Sequence, residues 1–518
     1  MYKLGIDVGG TNTDAVILDD NLNVVSSIKT HTTQDIESGI NNAIHQVIVQ
    51  SNIQTDYISE AMLGTTQATN AIVERQNLGK VGVIRIGYPA TASILPYTEW
   101  PKDITKILSD SYSLVHGGYE FNGDEISPFD EDEVREILKS WKNRIDGVAI
   151  VGVFSSINND QEEKVAELTH QILGNSMPVS CSSSIGSIGL IGRENATILN
   201  TALFKVIKLV TDGFCKALKS EGITDAQEYL CQNDGTLMSI DYAKSHPILT
   251  IGSGPTNSIR GAAYLSKQKE ALVLDIGGTT SDIGVLVNGF PRESSKSVNV
   301  GGIQTNFRMP DILSIGLGGG SIVRQKEDGT VTVGPDSVGY QITEKAKVFG
   351  GNTVTTTDIA TKLGMCEVGD PKLIEDLDND FALKAMSKIK EILEDGLDCM
   401  KTSSQDISVI LVGGGAIIAP QNLHGVSHIY TDQYGGVANA IGATIAQIGG
   451  EFEKVYQYVD ISRTDAINDA ERQARQQAVS AGAIENTVST VSVEEIPLSY
   501  APGDTTRVKV KVVGDSHN

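Results

Sequence analysis

Two short stretches of the chain carry residue types that handle phosphate. One reads Ile6-Asp7-Val8-Gly9-Gly10-Thr11-Asn12-Thr13-Asp14, the other Leu274-Asp275-Ile276-Gly277-Gly278-Thr279-Thr280-Ser281-Asp282. Both follow one pattern: Asp, apolar, Gly-Gly-Thr, variable, hydroxyl, Asp. Paired glycines let a backbone bend tightly and expose its amides with no Cβ in the way. A row of such amides forms a concave nest for an anion, and the threonine hydroxyl adds a donor. Asp at the end of the preceding strand repels phosphate unless a cation lies between them. Asp7 and Asp275 therefore predict a magnesium ion, which is typically held by one or two carboxylates plus phosphates. A single Gly-Gly-Thr turn is equally well a plain strand connection. Two copies in matching surroundings point to a nucleotide clamp. It would bind phosphate through Gly9, Gly10, Thr11 and Asn12 on one side and Gly277, Gly278, Thr279 and Thr280 on the other.

Three further stretches bear on that chemistry. Gly64-Thr65-Thr66-Gln67-Ala68-Thr69-Asn70, followed by Glu74-Arg75, is a hydroxyl-rich helix entry. It is read either as a capped N-terminus or as a helix start facing an anion or polar substrate, with Thr65, Thr66, Asn70 and Arg75 as substrate candidates. Ile315-Gly316-Leu317-Gly318-Gly319-Gly320-Ser321 fits a dinucleotide fingerprint only loosely, because Ser321 stands where the last Gly belongs. It is expected to be a backbone-donor loop, with Gly318 and Gly319 near the nucleotide. Gly413-Gly414-Gly415-Ala416 follows an apolar run, and strand ends in α/β sheets are where ligands collect. Asp376, Asp378 and Asp380 mimic a calcium loop. Phe381 and Ser387 stand where its Gly and Glu belong, so calcium is rejected. His116 is open to two readings, a satisfied structural histidine or a substrate contact. Arg193 and Asn200 are open to reading as caps and pairs.

The elements that must position these groups are legible from periodicity. Each phosphate turn sits between two apolar runs and is followed by a turn dipeptide, Asp20-Asn21 or Asn288-Gly289, so each copy reads as a hairpin. Ile36, Ile40, Ala43, Ile44, Val47 and Ile48 keep helical spacing after Thr33 and Asp35. Lys80 to Ile86 reads as a buried strand, whereas Tyr88 to Phe129 looks irregular, either a specificity insertion or a surface loop. The stripe Val134, Ile137, Leu138, Trp141 and Ile145 predicts a helix, with a strand over Gly147 to Phe154, the cadence of a βαβ crossover. A long helix is expected from Arg193 to about Ser220. Composition shifts again at Glu451. There a charged helix and alternating Arg507-Val508-Lys509-Val510-Lys511-Val512 suggest a small α/β tail that could serve as a docking surface. The expected division is 1–192, a linker at 193–225, 226–450, and the tail 451–518.

Size and charge narrow the class. At 518 residues the chain suits two or three domains. Its 41 basic and 65 acidic residues give a net charge of −24, which argues against nucleic acid as a partner. The five cysteines are scattered without metal or redox spacing. No stretch is apolar for long enough to span a bilayer, and Met1-Tyr2-Lys3 runs directly into the first strand. A soluble cytoplasmic protein is expected.

Taken together, the two Asp-x-Gly-Gly-Thr turns and the Gly413-Gly414-Gly415-Ala416 turn resemble the phosphate and adenosine segments of the actin, sugar kinase and heat-shock chaperone ATPase superfamily. Within it, the 7–14, 64–75, 275–282 and 316–321 segments and Val333-Gly334-Pro335 resemble the hydantoinase A / 5-oxoprolinase family over essentially the whole chain, including Glu495-Ile496-Pro497. The resemblance implies an α/β, two-lobed actin-like ATPase fold of duplicated ribonuclease H-like domains. It implies ATP and Mg2+ as cofactors, with Asp7 and Asp275 catalytic. The activity it implies is activation of a cyclic amide carbonyl (5-oxoproline, hydantoin or lactam) by phosphoryl transfer, completed by a separate B subunit. An oligomer is expected. Two segments depart from many relatives and bear on the substrate: Ser182-Ser183-Ser184 where many carry Ser-His-Glu, and Val348-Phe349-Gly350 where many carry Cys-Tyr-Gly. A ketone carboxylase subunit, a small-molecule kinase and a regulatory ATPase are the alternatives.

Overall fold

The computed structural model describes residues 1–10, 12–31, 36–108, 111–186, 188–294, 298–307, 309–498 and 504–516. Thr11 of the first phosphate turn, Thr33 and Asp35 lie outside the described residues. Strand Tyr2–Val8 pairs antiparallel with Asn12–Asp19, which pairs antiparallel with Val24–His31. On its other side Tyr2–Val8 runs parallel to Ile58–Thr65. The second copy repeats the arrangement. Ala271–Ile276 pairs antiparallel with Ser281–Val287 and parallel with Ile407–Val412. Ser281–Val287 in turn pairs antiparallel with Ile312–Ile315. A duplicated hairpin-plus-parallel-strand unit underlies both halves. Its strands are near-continuous apolar runs because helices cover them. Over the first unit, helix Ile36–Ser51 buries Ile40, Ala43, Ile44 and Val47 at helical spacing.

The first sheet extends well beyond its hairpin. In order it runs Ser489–Pro497, Thr505–Gly514, Ile448–Gln457, Leu237–Ser239, Gln227–Cys231, Ile58–Thr65, Tyr2–Val8, Asn12–Asp19, Val24–His31. The stretch expected as a separate tail therefore supplies three strands to the sheet that holds the first phosphate turn. Gln227–Cys231 and Leu237–Ser239, beyond the expected 226 boundary, belong to the same sheet. The join is a parallel contact of Leu237 with Ile448. Helix Arg463–Ser480 seals it with Ala466, Ala470, Ala474 and Ala478, one small residue per turn, all buried.

A separate parallel sheet, ordered Tyr112–His116, Val81–Tyr88, Gly147–Gly152, Val179–Cys181, has its own core with Trp141, Ile150 and Leu168. Strand Tyr112–His116 arises inside the segment read as irregular. Beneath the sheet lies helix Leu190–Ala202, buried along Arg193 to Ala202. The single long helix expected here is two, because the Ala202 carbonyl is taken by the Gly79 amide at 2.9 Å and helix Phe204–Ser220 starts anew. Arg85 and Glu194 form a fully buried pair, with Nε–Oε2 at 2.7 Å and a second contact at 2.6 Å. Among the described residues no helix is long and apolar enough to cross a membrane. Cys181, Cys215, Cys231, Cys366 and Cys399 are unpaired.

Candidate functional site

The two glycine turns face each other across a cleft of about 460 Å³. Asp7, Gly9, Gly10, Asn12 and Asp14 line one side; Asp275, Gly277, Gly278, Thr279, Thr280 and Asp282 line the other. Each turn closes in the same way: Gly9 donates to the Asn12 carbonyl at 3.0 Å and Gly277 to that of Thr280 at 2.9 Å. Each aspartate also rests on a glycine at the end of the neighbouring parallel strand, Gly64 within it and Gly413 just past it. A Cβ at Gly64 would lie 2.1 Å from Asp7 Oδ1, and one at Gly413 would lie 2.2 Å from Asp275 Oδ1. Two residues on, the Thr66 amide donates to Val8 at 3.3 Å and the Gly415 amide to Ile276 at 2.7 Å. Gly413-Gly414-Gly415 is thus the second copy of Gly64-Thr65-Thr66, a repeat hidden by the difference in side chains.

Strand register sets the electrostatics. Asp7 lies opposite Asp14, and Asp275 opposite Asp282. Like charges facing each other across strands are destabilising, so both pairs need compensation. In the first pair Asp7 Oδ1 accepts from Asn257 Nδ2 at 3.2 Å. Asn439 Nδ2 donates to Asp7 Oδ2 at 3.0 Å and to Asp14 Oδ2 at 2.8 Å. Lys29 Nζ lies 2.8 Å from Asp14 Oδ2 and 2.6 Å from Oδ1. Burial and the neighbouring Asp14 nevertheless push Asp7 up to about 6. Burial also raises Asp14 and Asp275. Asp282, which accepts from the Ser314 hydroxyl, is pushed up to about 6 by burial and by Asp275. Four carboxylates thus converge on one cleft. Among the described residues, no three His, Cys, Asp or Glu side chains form a ready-made metal cage.

The other predicted residues divide. Gly319, Gly413, Gly414, Gly415 and Thr66 line the cleft. Gly318 does not: its amide donates to Ser321 Oγ at 2.8 Å, and the amides of Gly319 and Gly320 go to the carbonyls of Gly277 and Gly278 at 2.9 and 2.7 Å. The loop expected to present donors spends them holding the second turn in shape. Ala416 opens a one-turn helix, Ala416–Ile418, behind Gly415. Thr65 is buried and its hydroxyl accepts from the Gln67 amide at 3.2 Å, while Asn70 Nδ2 donates to Thr66 Oγ1 at 3.3 Å. Arg75 turns away from the cleft, donating to Asp103 at 2.9 Å and to the Gly301 carbonyl at 2.7 Å. His116 pairs with Glu133 at 3.0 Å, and Arg193 and Asn200 bond within the interior. Asp378 caps helix Asn379–Met400, and Asp376 and Asp380 pair with Lys347 and Lys384. Of the two departures, Val348-Phe349-Gly350 places Phe349 on the cleft wall. Ser182-Ser183-Ser184 places Ser182 in a buried network with Glu162 and Arg193.

Several cleft residues carried no individual assignment from the sequence. Asp14 and Asp282 were signalled by the repeat itself. Asn257, Ser258 and Asn439 sit in small-residue helices with no distinguishing pattern, and Lys29 needs the strand register to be placed.

The sequence matches the hydantoinase/oxoprolinase N-terminal region over residues 3–173 and hydantoinase/oxoprolinase over residues 193–407. Caprolactamase subunit alpha of Pseudomonas jessenii is 25% identical over 382 residues, covering 70% of this chain and 54% of the relative. The acetophenone carboxylase gamma subunit of Aromatoleum aromaticum is 25% identical over 392 residues, covering 70% and 53%. This chain therefore spans about half the length of these curated relatives. The crystal structure of the ATP-dependent caprolactamase from Pseudomonas jessenii aligns with a TM-score of 0.79 at 18% identity, covering 99% of this chain and 87% of that one.

Proposed function

Because the chain belongs to the hydantoinase/oxoprolinase family, we propose that it is an ATP-dependent subunit that activates the carbonyl of a small cyclic amide by phosphoryl transfer, together with a second subunit. Its fold is the two-lobed actin-like ATPase fold. The observation that carries the reading is the convergence of both glycine turns and both aspartate pairs on one cleft. In phosphoryl transfer a protein contributes mainly position and charge stabilisation. Gly10 and Gly278, the glycines whose amides do not close the turns, supply backbone donors from opposite sides. Gly413-Gly414-Gly415, with Gly435 and Gly436 alongside, leaves room for a flat adenosine group. Asn257 and Asn439 fix the Asp7 carboxylate.

The acidic donor set fits a hard divalent cation completed by phosphate and water. Asp7 and Asp275 would hold magnesium, which when bound neutralises charge on the phosphates. That several relatives are named as subunits supports a partner chain.

A carboxylase reading is favoured by one observation: acetophenone carboxylase matches as well as caprolactamase does. ATP hydrolysis measured over a panel of lactams, hydantoins and 5-oxoproline, with and without the partner subunit, is the test. Stimulation by a cyclic amide supports the proposal, and stimulation by a ketone with bicarbonate moves the assignment to carboxylation. No ATP hydrolysis under any of these conditions overturns both.

A further inference from the structure

In both halves two facing aspartates are kept, and the residue opposite the second aspartate differs. Across three neighbouring strands the first half reads Asp7, Asp14, Lys29, and the second reads Asp275, Asp282, Ser314. The same three-strand unit folds with serine in that place, so its architecture does not require lysine there. Lys29 pairs with Asp14, yet its side chain is 34% exposed where that of Asp14 is 3% exposed. Its stem also reaches the opposite lobe: a Cβ at Gly414 would lie 3.9 Å from Lys29 Cε. Among the described residues lining the cleft it is the sole lysine or arginine. A triphosphate brings several negative charges to a wall that already carries four carboxylates, and neutral backbone amides offset them weakly. Charge-assisted contacts are the strong ones.

We propose that Lys29 is the phosphate-pairing cation of this cleft, and that it favours a nucleoside triphosphate over the diphosphate because the triphosphate brings it the larger negative charge. The proposal rests on the nucleotide reading of the cleft. If Lys29 merely neutralised Asp14, removing both charges together would be harmless to binding. If it pairs with phosphate, the loss of Lys29 persists whatever stands at position 14.

The test is calorimetric binding of ATP and ADP, each with magnesium, to the full chain and to Lys29→Met, Lys29→Arg and the double variant Asp14→Asn/Lys29→Met. Lys29→Met should weaken ATP by roughly 10-fold or more, the effect of one lost charge-assisted contact. It should weaken ADP by less than about 3-fold, with Lys29→Arg keeping most of the ATP preference. Equal weakening of both nucleotides, or full recovery of ATP affinity in the double variant, would overturn the proposal. Should Lys29→Met misfold, the double variant and Lys29→Arg still decide. Wild-type protein that binds neither nucleotide would instead remove the cleft assignment, a distinct result.

Discussion

Asp7 is held at a cost to folding that the apo protein should reveal. Its carboxyl is displaced from 3.8 up to about 6, through burial first and the facing Asp14 second, against the hydrogen bonds of Asn257 and Asn439. Between those two values the folded protein keeps a proton that the unfolded chain has released, so this residue makes stability fall as pH rises through that window. Above it the penalty is about 3 kcal/mol, at roughly 1.4 kcal/mol per pH unit of displacement. Asp7→Asn removes the charge and keeps the shape. The new amide must meet donors from Asn257 and Asn439, but Asn257 Oδ1 has no hydrogen-bond partner. Turning the Asn257 amide over presents that oxygen to the new NH2. Urea unfolding of both proteins in EDTA, from pH 4.5 to pH 8, should show a variant advantage that is smallest at the acid end and grows by about 2 kcal/mol toward pH 8. Asp275 and Asp282 titrate in both proteins and largely cancel in the difference. An advantage that does not change with pH, or a variant less stable at pH 8, refutes the argument. The same variant, like Asp275→Asn, should lose magnesium-dependent ATP turnover by ~100-fold if these carboxylates position the cation. Steady-state assays would show that loss.

Gly413→Ala puts a methyl 2.2 Å from Asp275 Oδ1 at a backbone φ of +91°. It should cost about 2–4 kcal/mol in unfolding measurements and at least ~10-fold in ATP affinity. Gly436→Ala, where a Cβ meets nothing within 4 Å, should leave stability unchanged. Arg85→Met strands the buried Glu194 and should destabilise by about 3–5 kcal/mol, most of it recovered in the double variant Arg85→Met/Glu194→Leu; urea unfolding of the two variants checks both parts.

Local chemistry made the two glycine turns legible as hairpins, because a Gly-Gly-Thr bend between two apolar runs leaves few alternatives. What stayed hidden depends on register and on distant pairing. Lys29 becomes a neighbour of Asp14 only once the third strand is laid against the second. Asn439 reaches Asp7 from more than four hundred residues away. The Gly318-Gly319-Gly320 loop looked like a donor nest because sequence shows amides but not which carbonyls have already taken them. The helix over 193–220 looked continuous because no Gly or Pro marks the place where a carbonyl is diverted to Gly79. Composition at 451 suggested an independent unit for a related reason: the partner that absorbs those strands, Leu237–Ser239, is remote in sequence.

That absorption bears on how the protein can be handled. The region aligned with the family ends at residue 407, and a fragment trimmed there looks natural on paper. It would strip three strands and the alanine-lined helix from the sheet, baring the backbone of Leu237–Ser239 as an open edge. Exposed edges of that kind recruit strands from other molecules. Aggregation of such a truncated fragment would therefore report a missing flank, and activity lost with it would say nothing about Asp7 or Asp275, because Gly413-Gly414-Gly415 and Asn439 leave the cleft with the trimmed part.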